Sequence, residues 1–178
     1  LTRPPEMCDG LLKLPSQIIL GKHIDGPPLK LVLSRGYAVA IVYAADLVPD
    51  DARAAGPALA RLYGPEFLGP PPGALAAWAW LYSSLGETLT REPGLKAAPV
   101  VAWGHSRNGK AALLAGAVYP NIAGVIAHQS GRGGAPLNRS TAGETIAQIT
   151  SGYPHWFTPA YAGFAGHEED LPVDQHQL

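Results

Sequence analysis

One cysteine, Cys8, stands in a chain of 178 residues, so neither an internal disulfide nor a thiolate metal site can form within it. That count leaves the compartment open, because exported proteins also occur without disulfides. Charge is scarce as well. Thirteen Lys and Arg against fourteen Asp and Glu leave a formal net charge of −1, and these four residue types make up only 15% of the chain. No basic stripe points to nucleic acid, and no acidic block to a solvating tail. Long apolar runs are missing too: the longest, around Gly73–Leu85, is broken by Ser83 and Ser84 and is too short to span a membrane. The first residue is Leu1, not Met, so the lack of a signal peptide excludes nothing. What remains is a chain 47% hydrophobic, long enough for one domain with a filled core.

Residues 1–28 read as an irregular N-terminal segment, with Pro4, Pro5, Pro15, Pro27 and Pro28 breaking any period. Pro28 opens a short helix through Leu29, Val32 and Leu33, which Gly36 closes in the left-handed conformation. Tyr37–Tyr43 is a near-continuous apolar, β-branched run, predicting a strand covered on both faces. Pro49–Pro72 is dense in Gly and Pro and predicts a loop. Ala74–Arg91 predicts a helix with Leu75, Trp78, Tyr82, Leu85 and Leu89 on one stripe. Pro99–Trp103 predicts a second buried strand, Arg107–Tyr119 a second long helix, and Ile122–Ala127 a third strand. A polar turn, His128–Gly134, follows. Alternating strands and helices predict an α/β fold with a mainly parallel sheet flanked by helices, whose chemistry collects at the carboxyl ends of the strands.

The informative stretch is Val100–Lys110, where a strand runs through Gly104 and His105 into Ser106 and then a helix. This is the setting of a nucleophile elbow, a sharp turn that lifts a serine hydroxyl above the sheet edge. Gly104 is required because that turn brings backbone segments too close for a Cβ. The usual second glycine, two after the serine, is Asn108 here, and Gly109 comes one later. A helix N-cap serine is the plainer explanation of the same letters. The Arg107 backbone N–H, at a helix start, lies where an oxyanion would be received. Lys110 follows one helical turn after Ser106. Two cations beside a nucleophile suit an oxygen-rich acyl group, although an isolated Arg or Lys is usually a solvated surface charge.

Gly104–Lys110 resembles the nucleophile motif of the glucuronoyl esterases, carbohydrate esterase family fifteen. Arg35–Ala40, Ala74–Trp80, Gln129–Gly134, Pro154–Phe157 and Leu171–His176 resemble bacterial-type members in the same order. The resemblance runs from about Leu29 to the end and implies an α/β-hydrolase fold over a single, partial catalytic domain, 1–178, truncated at both ends. It implies a serine esterase that cleaves 4-O-methyl-glucuronoyl esters between xylan and lignin alcohols. Ser106 would be the nucleophile, Arg107 would hold the oxyanion, and Lys110 and Glu144 would bind the sugar. It further implies secretion or a periplasmic location, a monomer, and no cofactor, nucleic acid or membrane partner. Glu144 has a second reading, since Thr141–Glu144 also spells a helix capping box.

A serine needs a base, ordinarily a histidine oriented by a carboxylate. By the resemblance, that histidine lies beyond His176, so the chain as given is expected to be inactive alone. The family's acid position aligns with Gln129, which cannot serve. Among internal histidines, His128 at a strand end is placed best; His105 adjoins Ser106 on a turn where neighbouring side chains diverge, His155, His167 and His176 read as structural, and His23 precedes the sheet. No histidine shows metal-ligand spacing, so no metal is expected. Trp78, Trp80 and Trp156 could stack on sugar rings, with Trp78 better suited to the core. Asn138-Arg139-Ser140 spells an N-glycosylation acceptor. Rival functions are an acetyl-xylan or other carbohydrate esterase on this fold, and a non-catalytic carbohydrate-binding relative.

Overall fold

The computed structural model describes residues 28–70 and 72–177. The irregular segment expected over 1–28 lies outside the described residues except for Pro28. The chain divides into two compact units between Ile41 and Val42.

In the first unit, helix α1 spans Leu29–Ser34, none of it buried. Gly36 follows at φ 82°, the left-handed turn expected of it, and its N–H donates to the Leu33 carbonyl at 3.1 Å. The run Tyr37–Tyr43, expected to be a covered strand, forms none. Its alternate residues Tyr37, Val39 and Ile41 in this unit, and Tyr43 at the start of the next, are all exposed, and the described residues of this unit hold no strand for it to pair with. Apolar, β-branched residues favour extended backbone, but a strand exists only where a neighbour accepts its ladder hydrogen bonds.

In the second unit, a short helix α2 (Ala44–Leu47) leads to α3 (Ala52–Tyr63), which lies where a loop was expected. Asp51 caps α3, its Oδ1 accepting from the N–H groups of Arg53 and Ala54, both at 2.9 Å. Ala55, Ala58 and Leu59 form the buried face, and Pro57 is carried inside the helix. Helix α4 (Ala74–Leu89) matches its expected span closely. Its first free amides are satisfied from a distant segment: Ala74 N–H donates to His155 O at 2.8 Å and Leu75 N–H to Trp156 O at 3.3 Å. A Cβ at Gly73 would sit 2.2 Å from the Trp156 carbonyl oxygen, so only glycine allows that approach. Trp78, 1% exposed, anchors the core and donates its indole N–H to Val48 O at 3.0 Å.

The sheet among the described residues has two strands, β1 (Val100–His105) and β2 (Ile122–His128), paired in parallel with Gly104 opposite Ala127 and His105 opposite His128. Helix α5 (Arg107–Val118) makes the crossover, and its Ala111, Ala112 and Ala115 are fully buried. β1 is covered on one face only: Ala102 and Gly104 are buried while Val101 and Trp103 are exposed. Beyond β2 come α6 (Ile146–Gly152) and the single turn α7 (Pro159–Ala162), then 3-10 turns at Glu168–Asp170 and Gln175–Gln177. The Asp174 carboxylate, 2% exposed, ties this last segment to the loop after β2 by accepting from Asn138 N–H at 2.7 Å and Arg139 N–H at 3.0 Å.

Candidate active site

Ser106 sits between β1 and α5 at φ 54°, ψ −122°, one of three non-glycine residues at positive φ among those described. Such a conformation costs an L-residue roughly 1–3 kcal/mol and persists only where its surroundings enforce it. Here they do. The Ser106 N–H donates to His128 O at 2.9 Å, fixing the turn to the end of β2. A Cβ on Gly104 would lie 2.1 Å from the Asn108 carbonyl oxygen, so the strand and helix meet with no room for a side chain. The displaced second glycine also finds its reason: Gly109 faces Gly104 O and the Ser130 side chain, while Asn108 points to solvent. The N-cap explanation fails, because the Ser106 side chain makes no capping hydrogen bond. Ser106 is half-buried, and its hydroxyl has no hydrogen-bond partner among the described residues.

Arg107 and Lys110 are held in different ways. The Arg107 side chain, 46% exposed, pairs through Nε with Asp50 Oδ2 at 2.9 Å. Asp50 was not singled out by the sequence, yet it lies at the hub of the site. Its Oδ1 accepts from His155 Nε2 at 3.0 Å and from the Trp156 indole N–H at 2.6 Å. Lys110 is no surface charge: it is 4% exposed, donates from Nζ to Ser130 O at 2.5 Å, and stands 5.4 Å above the Trp156 ring. Burial pulls its pKa below the usual lysine value; Glu144 opposes that shift and Arg107 adds to it. A Cβ on Gly131 would lie 3.4 Å from Lys110 Nζ and 3.9 Å from Glu144 Oε2, so those two groups flank the same glycine.

Glu144 is exposed, on a loop organised by a single buried arginine. Arg132, 3% exposed, donates to the carbonyls of Leu137 and Glu144, to Ser140 O at 2.9 Å and to Ala142 O at 3.1 Å. The capping-box reading of Thr141–Glu144 is corrected. The box is Thr145 with Gln148, whose side chain and N–H reciprocate with Thr145 at 2.9 and 3.2 Å, and helix α6 starts at Ile146. Glu144 is therefore free of a capping duty.

Gln129, at φ 47°, hydrogen-bonds the His105 ring at 2.9 Å, and the His105 and His128 rings meet edge to face at 5.1 Å. Among the described residues no histidine ring hydrogen-bonds the Ser106 hydroxyl. The His155 side chain is buried against Asp50, and its Nδ1 has no hydrogen-bond partner among the described residues. His167, Glu169 and Asp170 bring ligand-type atoms within 4.8 Å of one another, but all three are exposed. Trp156 is 3% exposed and stacks on Tyr153 at 3.9 Å, and Trp78 is in the core; of the three tryptophans considered for sugar stacking, Trp80 alone presents an open face. Asn138 is buried, its Oδ1 accepting from Tyr161 O–H at 2.8 Å, so the sequon is closed in the folded chain. A cavity of about 830 Å³ includes Lys110, Leu113, Trp156 and Tyr161 in its walls, but neither Ser106 nor Arg107.

A family model described as glucuronyl esterase, fungi, matches residues 24–178. The chain belongs to the glucuronyl esterase family. It is 34% identical over 153 residues to a carbohydrate esterase from an unknown prokaryotic organism, a match covering 84% of this chain and 35% of that protein. A 4-O-methyl-glucuronoyl methylesterase from Sodiomyces alcalophilus is 36% identical over 116 residues, 60% of this chain and 23% of that one. Among solved glucuronoyl esterases, one from Teredinibacter turnerae superposes with a TM-score of 0.77 at 27% identity, covering 99% of this chain and 44% of its own. One from Solibacter usitatus gives 0.74 at 35% identity, covering 83% and 39%. The fold is therefore that of the α/β hydrolases, as expected from the elbow. The chain spans about a third or less of the length of these curated glucuronyl esterase relatives.

Proposed function

We propose that the protein is a serine-type carboxylic ester hydrolase that cleaves 4-O-methyl-glucuronoyl esters between xylan and lignin alcohols. One observation carries this: an uncommitted serine hydroxyl on a strained strand-to-helix turn, with an oriented guanidinium on the next residue. Ser106 Oγ attacks the ester carbonyl carbon and gives up its proton to a base. The carbonyl oxygen becomes an oxyanion, received by the Arg107 side chain and backbone N–H at the start of α5. Collapse expels the lignin alcohol, which takes the proton, and leaves glucuronoyl-Ser106; water then releases glucuronate. The esterified carboxyl is neutral, so the cations serve hydroxyls and the developing oxyanion.

In this reading Lys110 and Glu144, whose side chains both lie near Gly131, bind sugar hydroxyls. A buried Lys110 suits this, since an ammonium partly stripped of water gains more from each hydroxyl it meets. The base is a role this reading gives to none of the described histidines. In this reading the esterase is secreted or periplasmic and acts as a monomer; no described helix is long and apolar enough to cross a membrane. The test is side-by-side hydrolysis of benzyl glucuronate and acetylated xylan by the complete gene product and by Ser106→Ala. Turnover of the glucuronate ester that Ser106→Ala abolishes is expected. Preference for acetylated xylan would give the acetyl-xylan esterase reading, and turnover indifferent to Ser106→Ala would remove the serine from its role.

A further inference from the structure

We propose that Asp50 is a positioning residue for the Arg107 guanidinium, setting the orientation in which it meets the oxyanion; this rests on the esterase reading above. An arginine that is 46% exposed has many rotamers, and ordering so long a side chain costs about 2 kcal/mol. Asp50 removes much of that freedom. Its Oδ2 takes Nε, the inner nitrogen, at 2.9 Å, and neither terminal nitrogen of Arg107 has a partner among the described residues. The outer edge of the fork is thus left for a ligand.

The carboxylate is itself immobilised. Oδ1 receives the His155 ring at 3.0 Å and the Trp156 indole N–H at 2.6 Å, and both of these side chains are buried. Two residues before Asp50, the Val48 carbonyl is held by the Trp78 indole. A surface ion pair contributes only about 0–1 kcal/mol, so the pair matters for aim and not for stability. The same indole that donates to Asp50 lies under Lys110 Nζ, so one carboxylate sets the place of both cations.

The experiment is a double-mutant cycle on the complete gene product, reading kcat and KM for benzyl glucuronate with Asp50→Asn, Arg107→Ala and the pair. Asn keeps the shape and the acceptor for Trp156, but it carries no charge for Nε. Arg107→Ala should lower kcat by about 10²–10³-fold, as for loss of an oxyanion donor. Asp50→Asn should lower kcat by about tenfold to a hundredfold with KM within about twofold, as for other groups that orient a reacting partner. In the Arg107→Ala background, Asp50→Asn should cost less than about twofold more. An unchanged kcat for Asp50→Asn beside a crippled Arg107→Ala overturns the inference alone. An equal loss in both backgrounds marks Asp50 as structural and also overturns it. A harmless Arg107→Ala overturns the oxyanion role beneath it. Arg107→Lys tests the same idea without touching Asp50: it keeps the charge and loses the fork, so kcat should fall at least tenfold, and parent activity would overturn the inference.

Discussion

Gly104→Ala should damage stability and catalysis together, and the size of the effect follows from the elbow. The added Cβ would lie 2.1 Å from Asn108 O, 2.2 Å from its carbonyl carbon and 2.6 Å from Gly109 N, where real Cβ atoms keep at least 3.0 Å. All three are backbone atoms, so no rotamer change relieves them. Strand β1 and helix α5 must part by about 0.9 Å, and a clash of this kind costs roughly 1–3 kcal/mol. Parting them also strains the Ser106 N–H bond to His128 O, a further 0.5–1.5 kcal/mol, roughly. About 3 kcal/mol is expected from urea unfolding of the complete gene product. A nucleophile moved by about 1 Å should lose about 10²-fold in kcat/KM. Gly109→Ala is the control. Its nearest atoms would be at 3.0, 3.3 and 3.4 Å, so it should cost about 1 kcal/mol. If Gly104→Ala unfolds within 0.5 kcal/mol of Gly109→Ala, on the order of ordinary surface effects, the close-approach reasoning is wrong.

Ser106→Gly should unfold at higher urea than Ser106→Ala, by about 1 kcal/mol, because glycine accepts φ 54° without the penalty that alanine retains; both should be inactive, and a more stable alanine variant would mean the turn is unstrained. Arg132→Ala should cost about 3 kcal/mol, since four carbonyls lose their donor, and Arg132→Lys should recover little because an ammonium cannot span them. Full stability of Arg132→Lys in thermal melts would show the loop to be held otherwise. Burial raises the Tyr161 hydroxyl pKa to about 12, above the ordinary 10.0, so its neutral form stabilises the fold fully below pH 10 and that contribution is lost as pH rises through 12. Tyr161→Phe should therefore flatten the decline of stability between pH 10 and 12, and an unaltered alkaline profile would place the titration elsewhere.

The expectations that succeeded rest on local physics. Ala74–Leu89 declares itself by a stripe of large apolar residues, and the elbow by a glycine and a serine set between a strand and a helix. Failures came where one local signal masked another. Gly56 and Pro57 hid α3, although Asp51 as cap and Ala55, Ala58, Leu59 and Leu62 at helical spacing were there to find it. Tyr37–Tyr43 has the composition of a strand, but composition does not supply a partner. As candidates, Ser106, Arg107 and Lys110 could be named from the letters of the elbow, and Glu144 from the family resemblance alone. Asp50 could not, because a carboxylate on a loop before a helix has no pattern until folding carries Arg107, His155 and Trp156 onto it. Nor could the letters show that Lys110 is buried, which follows from Ser130 and Trp156 closing around it.

The burial of Asn138 beneath Tyr161 bears on how this protein should be made. In a yeast or animal secretory pathway, oligosaccharide is added while the polypeptide is still emerging, before that asparagine is hidden. A chain so decorated could not close Tyr161 over the modified amide, and production there would yield material retained and degraded. A bacterial host, or Ser140→Ala for a eukaryotic one, avoids the conflict while leaving the Arg132 contact with the residue 140 carbonyl in place.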